Sequence, residues 1–181
     1  VQIITRETEF TSFHDASEEY TRMLSELTED ESRNRLIVGD IIKETSNGGG
    51  VCLALSDRKT HCETIKAMLH DTGIDADVLT GEVKNAERKA IVERLNAGKV
   101  KVLIATGQLI GEGFDAKSLQ TLFLTTSIKF DGRVIQYLGR VLRPAPGKDH
   151  ARIYDYVDVN VGVLKASARA RQKVFTNFTK N

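Results

Sequence analysis

Cysteine is scarce. Only Cys52 and Cys62 occur in 181 residues, and they form no C-x-x-C pair. That argues against a disulfide-stapled scaffold and fits a reducing, cytoplasmic setting. Cys62 stands beside His61 and upstream of His70, but the spacing matches no common zinc pattern, so no metal ligands are assigned. No apolar run approaches the roughly 20 residues of a membrane span, and no signal peptide opens the chain. A G-x-x-x-x-G-K-[ST] phosphate loop is also missing: the glycines at 48–50 run into an apolar stretch without lysine, and Gly147-Lys148 has Leu142 where the first glycine belongs. There is no D-E-x-H-like metal box. Neither charge sign dominates. With 26 basic and 25 acidic residues the net charge is +1, which by itself predicts no nucleic-acid binding.

The distribution of charge says more. Residues 1–31 carry an acidic excess and residues 129–181 a basic one. This polarity suits a polyanion on one side, or simply a solvated surface. A hydrophobic content of 40% with 28% charged residues is that of a soluble globular protein, and the length suits one domain with a sizeable core. The first residue is Val1 and not methionine, which points to a fragment of a longer chain.

Residues 1–47 read as a leader followed by two helices. Tyr20, Met23, Leu24 and Leu27 recur at helical spacing behind a cap from Asp15 with Glu18, and Thr28 with Glu31 repeats the capping-box pattern before Leu36, Ile37, Ile41 and Ile42. The glycines at 48–50 end that regime. From Val51 onward, short apolar runs alternate with helical patterns. Strands are expected at 51–55, 76–79, 100–105, 121–125 and 152–156, with helices between them stopped by Gly73 and Gly98 and one of them capped by Asn85. The fold class is α/β: a doubly wound, mostly parallel sheet with helices on both faces, over residues 48–160. Residues 161–181 read as a basic helix. Val163, Leu164, Ala168 and Phe175 would face the sheet, and Lys165, Arg169, Arg171 and Lys173 would stay outside.

Polar and glycine residues gather just after the proposed strands: Ser56 and Asp57, Thr80 and Gly81, Thr106 and Gly107, and 125–127. Open parallel sheets bind ligands at that carboxyl edge, although turns favour the same residue types. Two segments are more distinctive. In QYLGRVLRP (136–144), Gln136, Arg140 and Arg143 lie at i, i+4 and i+7 on one helical face, with Gly139 leaving room beside them and Val134, Leu138 and Val141 behind. Guanidinium forks suit phosphate oxygens, while a solvated amphipathic helix would look the same. In GQLIGEGFDAK (107–117), Gly111 and Gly113 permit a close backbone approach. Asp115 there offers an acceptor for a sugar hydroxyl or an arginine, or merely a loop cap.

ATGQLIGEGFD (105–115) followed by QYLGRVLRP (136–144) resembles motifs V and VI of the superfamily 2 helicases and nucleic-acid translocases, the DEAD/DEAH type among them. In those proteins the second, C-terminal RecA-like domain carries the motifs in this order. VCLALSDRKTHCETI (51–65) is similar to motif IV, and LTGEVKNAERKAIVERL (79–95) to the stretch that follows it. The resemblance covers about residues 51–156. Glutamine stands where DEAD-box proteins usually have the histidine that opens motif VI, and the wording of 139–148 is closest to repair-type and restriction-type translocases.

The resemblance implies a RecA-like domain acting on ATP. The Walker lysine and the Mg2+ carboxylates would belong to an N-terminal RecA-like lobe of the same parent chain, and this half alone would be inactive. It further implies that Arg140 and Arg143 reach the γ-phosphate, that Gln136 senses the nucleotide or attacking water, and that Gly113, Asp115 and Gly139 line the nucleotide side. Ser56, Gly81 and Thr106 would hold a DNA or RNA backbone. The basic tail lies outside the resemblance; on its charge alone, Arg169 and Arg171 would follow the same backbone or touch the acidic N-terminal helices of the same chain. Two other classes share the pattern: a noncatalytic interaction module on a motor fold, and another doubly wound nucleotide- or sugar-binding enzyme.

Overall fold

A computed structural model describes residues 1–48, 50–111, 114 and 118–179. In chain order the elements are β1 (Gln2–Thr8), α1 (Tyr20–Glu29), α2 (Glu31–Ser46), β2 (Val51–Ser56), α3 (Lys59–Asp71), β3 (Ala76–Leu79), α4 (Asn85–Asn96), β4 (Val102–Thr106), α5 (Gln108–Gly111), β5 (Leu119–Leu124), α6 (Gly132–Val141), β6 (Arg152–Asp158) and α7 (Gly162–Thr179). The strands form one six-stranded sheet in the order β1-β6-β5-β2-β4-β3, and every pairing is parallel. This is the parallel α/β arrangement expected from the alternating pattern, and the RecA-like one that the resemblance implies.

Each face of the sheet has its own core. In β2, Val51, Leu53 and Leu55 point to one side, where Ile91 and Leu95 of α4, Val134 and Leu138 of α6 and Phe175 of α7 cover them. Cys52 and Ala54 point to the other side, under Ile37 and Ile41 of α2 and Cys62, Ile65 and Leu69 of α3. A strand with helices on both sides has no polar face, which is why β2 is buried at every position. Both cysteines are free buried thiols, and burial pushes each up to about 12, so neither is a thiolate near neutral pH. A smaller cluster joins Phe10, Met23, Leu24 and Leu27 to Val161 and Leu164, seating α1 against the start of α7.

Residues 1–47, read as a leader followed by two helices, contain the two helices as α1 and α2, but the segment ahead of them opens on a strand. Gln2–Thr8 is an edge strand paired with β6 over its whole length, and α2 supplies part of the core. The helix caps also shift. Asp15 accepts from the Ser17 N–H inside a turn before α1, and Asp30, not Thr28, caps α2 by accepting from the Arg33 N–H at 2.7 Å. Asn85 is the first residue of α4, behind an N-cap at Lys84 that makes no side-chain bond. Gly73 and Gly98 end α3 and α4 with φ of 84° and 69°, the left-handed geometry that glycine permits. No helix among the described residues is long and apolar enough to cross a membrane.

Candidate functional site

The helix carrying the arginines is set by both of its ends. Asp131 accepts from the Arg133 and Val134 N–H groups at 3.0 Å each, starting α6 directly after the loop from β5. At the far end Leu142 is the C-cap and Pro144 follows, so Arg143 lies just beyond the last turn and the expected i+7 register to Gln136 is not helical throughout. Val134, Tyr137 and Leu138 are buried against the sheet, as the apolar stripe requires. Gln136 and Arg143 are exposed. The Arg140 side chain, Gly113 and Asp115 lie outside the described residues.

Gly139 and Arg143 share a cavity of about 480 Å³ with Pro144, Lys148, His150 and Phe178. The space beside Gly139 belongs in part to α7: a Cβ there would meet the Phe178 ring at 3.7 Å, an ordinary contact. Burial lowers the Lys148 ammonium pKa from its ordinary value. The cavity walls thus offer a guanidinium and an ammonium beside an aromatic ring, with the Asp149 carboxylate among them.

At the carboxyl edge of the sheet the candidates separate. Gly81 is exposed, and a Cβ there would approach the Gln108 Oε1 to 3.3 Å, so the turn after β3 and the start of α5 meet closely at this point. Thr106 is buried in register with Ser56. Ser56 is fully buried, and its hydroxyl is already committed to the protein: it lies 2.8 Å from His61 Nδ1 and accepts from the Arg58 N–H at 3.2 Å. The His61 Nε2 faces Asn34 Oδ1 at 2.8 Å, while the Asn34 Nδ2 donates to the Thr28 carbonyl. The amide orientation makes His61 Nε2 the donor and Nδ1 the acceptor of the Ser56 proton. Burial, with the Arg33 cation nearby, depresses this imidazole to about 3, so it is neutral. The expected phosphate contact from Ser56 is therefore corrected: its hydroxyl braces the 56–58 turn.

The tail needs a larger correction. Arg169 is exposed, whereas Arg171 is 3% exposed. Its Nε and Nη2 donate to Asp155 Oδ1 at 2.9 and 2.8 Å, and its Nη1 donates to Ser127 Oγ at 3.0 Å. Asp155 is wholly buried in β6, its other oxygen has no partner among the described residues, and burial raises its carboxyl from the usual range despite the arginine. Arg171 is thus a buried brace between α7, β6 and the loop before α6, and has no surface from which to grip a backbone.

A second brace of this kind escaped sequence reasoning. Arg33, 2% exposed on α2, donates from Nε and Nη2 to both oxygens of Asp158 at 2.8 and 3.2 Å, and from Nη1 to the Thr125 carbonyl at 2.6 Å. Thr8 donates to the same carboxylate. One guanidinium therefore ties together the carboxyl ends of β1, β5 and β6.

Residues 32–145, more than half the chain, match the family described as helicase conserved C-terminal domain. The Saccharomyces cerevisiae protein IRC3, whose name marks it as a candidate ATP-dependent helicase, is 32% identical over 60% of this chain. Transcript termination protein A18 of Myxoma virus is 30% identical over 65%. The chain spans only 16% and 25% of those relatives. Among solved structures, T4 UvsW aligns with a TM-score of 0.74 over 97% of this chain and 39% of its own, at 19% identity. The E. coli DEAD-box protein SrmB aligns with a TM-score of 0.61 over 78% and 79%, at 20% identity. The order of motifs along a parallel sheet, the arginine-bearing helix after β5 and the family match agree: the chain belongs to the helicase conserved C-terminal domain family and has the RecA-like fold.

Proposed function

We propose that this domain is the second lobe of an ATP-dependent nucleic-acid helicase or translocase. It would provide arginine fingers and backbone contacts while an N-terminal RecA-like lobe of the parent chain holds the Walker lysine and Mg2+. The observation that carries this reading is α6: a helix anchored behind by Val134, Tyr137 and Leu138 that leaves Gln136 and Arg143 to solvent, Arg143 at a cavity it shares with Lys148. Arg140 and Arg143 stabilise charge on the γ-phosphate, Gln136 orients the nucleotide end or the attacking water, and Gly113, Asp115 and Gly139 line the nucleotide side. Guanidinium forks in that position are worth on the order of 10³ to 10⁵ in rate. ATP, when bound between the lobes, supplies the phosphoanhydride whose cleavage lets them part.

At the sheet's carboxyl edge, the Gly81 turn and the backbone after Thr106 offer donors to a DNA or RNA backbone. Such contacts position the strand without reading its sequence. Two measurements test the reading. The 181-residue chain alone should hydrolyse no ATP, and robust turnover by it would sink the half-motor idea. In the parent protein, Arg140→Ala or Arg143→Ala should cut turnover at least about a hundredfold with the fold intact, and lysine should rescue poorly because it lacks the planar fork. Unchanged turnover in both would return α6 to being merely amphipathic.

A further inference from the structure

We propose that the loop between β1 and α1, together with the outward face of α7, is a self-association surface on which a second copy of this chain docks around Phe13. Phe13 is 97% exposed, yet the backbone that carries it is tied down. Its N–H donates to Glu26 at 3.1 Å, Ser12 Oγ donates to the same carboxylate at 3.0 Å, and the His14 ring bridges Glu19 and Glu26 at 3.0 and 3.3 Å. A loose loop folds an apolar ring back onto the surface. This one is built to hold it out. Of the four large apolar residues exposed among the described residues, Phe13, Tyr20 and Val163 all belong to the small unit formed by this loop, α1 and the start of α7.

Charge selects the occupant. Glu9, Asp15 and Glu18 are exposed around the ring's loop, which repels a phosphate backbone and favours a cationic polypeptide. The chain itself presents such a surface. Lys165, Arg169 and Lys173 recur every fourth residue along the exposed side of α7 and make no ion pair among the described residues. A shallow concavity of about 300 Å³, lined by Ser12, Asp15 and Val163 among others, joins the acidic loop to the start of α7. An apolar knob with an acidic rim beside a basic stripe is complementary to itself under a two-fold rotation: each loop meets the other copy's α7. The inference does not depend on the motor reading.

Sedimentation equilibrium of the 181-residue chain tests it, from about 10 μM to about 1 mM, because a patch of this size supports only a weak dimer. The expected result is a concentration-dependent dimer that weakens with salt and is lost in Phe13→Asp, a change that disturbs no contact within the fold. Lys165→Glu with Arg169→Glu, and separately Glu9→Lys with Glu18→Lys, should each be monomeric alone and pair with one another when mixed. Asp15 is left in place there because it holds the turn at Ser17. A monomer throughout the range, a dimer indifferent to Phe13→Asp, or charge variants that fail to pair while remaining folded by circular dichroism would each overturn the proposal. So would a monomeric wild type whose affinity for single-stranded oligonucleotide falls in Phe13→Asp, since that gives the ring to nucleic acid.

Discussion

Replacing Arg171 by glutamine removes the guanidinium and leaves Asp155 inside the sheet with neither oxygen paired to a cation. Breaking a buried ion pair from one side costs about 3–5 kcal/mol, because an uncompensated charge stays behind. At this chain length each kcal/mol moves the melting temperature by about 2–4 °C, so a fall of roughly 6–20 °C is expected. The carboxyl has one escape, which is to take up a proton. Burial already raises its pKa, and loss of the arginine raises it further. A raised folded-state pKa contributes stability that is present below the unfolded value and is lost as pH rises through the folded one. The penalty for Arg171→Gln should therefore be larger at pH 8 than at pH 5. Calorimetry at both values, with Arg169→Gln alongside, gives the comparison. The exposed Arg169 makes no ion pair among the described residues, and its variant should stay within about 0.5 kcal/mol of wild type. If Arg171→Gln melts with wild type, or if its deficit is greater at pH 5, the brace carries no weight and the buried geometry is wrong.

His61 gives a pH signature of opposite sign. Its folded-state value of about 3 lies below the ordinary 6.5, so its contribution is complete above 6.5 and is lost as pH falls; between pH 7 and pH 5 it should cost about 2 kcal/mol. Urea midpoints at the two values measure this, and a His61→Gln variant with the same slope as wild type would assign the loss to other groups. Two glycines should respond oppositely to alanine. Gly73, with φ of 84°, should lose about 1–2 kcal/mol. Gly39, within α2 and with open space around its would-be Cβ, should gain up to about 1 kcal/mol, and a gain at both sites would show that the turn after α3 is not strained.

The central sheet was legible because its chemistry is extreme. Strands β2 and β4 are buried at every residue, and an unbroken apolar run between turn glycines has few other homes in a globular chain. Strand β1 was not legible for the converse reason. As an edge strand it is paired on one side only and partly exposed, and its Thr5, Arg6 and Glu7 read as polar leader, although Arg6 bonds Asp40 and every residue from Gln2 to Thr8 pairs with β6. The cap of α2 was displaced by two residues because Thr28 and Asp30 were both competent and only the fold decides which one reaches an open N–H, while the N-caps of α1 and α4 make no side-chain bond.

The site was harder, because residue type states what a side chain is able to do and not which way it faces. Serine after a strand and arginine on a basic helix both fit phosphate contacts, yet Ser56 and Arg171 are spent on the protein itself. For Arg171 the direction was nonetheless written in the spacing. Positions 164, 168, 171 and 175 are i, i+4, i+7 and i+11, so Arg171 shares the inward stripe with Leu164, Ala168 and Phe175, while Val163, placed inside on its apolar character, falls off the stripe and is 38% exposed. A buried arginine is rare enough that the stripe alone does not establish one. What settles it is the second half of the pair. RIYDY (152–156) was already read as a strand in a sheet covered on both faces, where an aspartate has no water to face and must find a cation. An acid inside a doubly covered strand and a base on the inward stripe of the following helix predict each other. Asp158 falls just past the strand as read, at 152–156, and Arg33 lies more than a hundred residues away on α2, so that second brace was visible only in the fold.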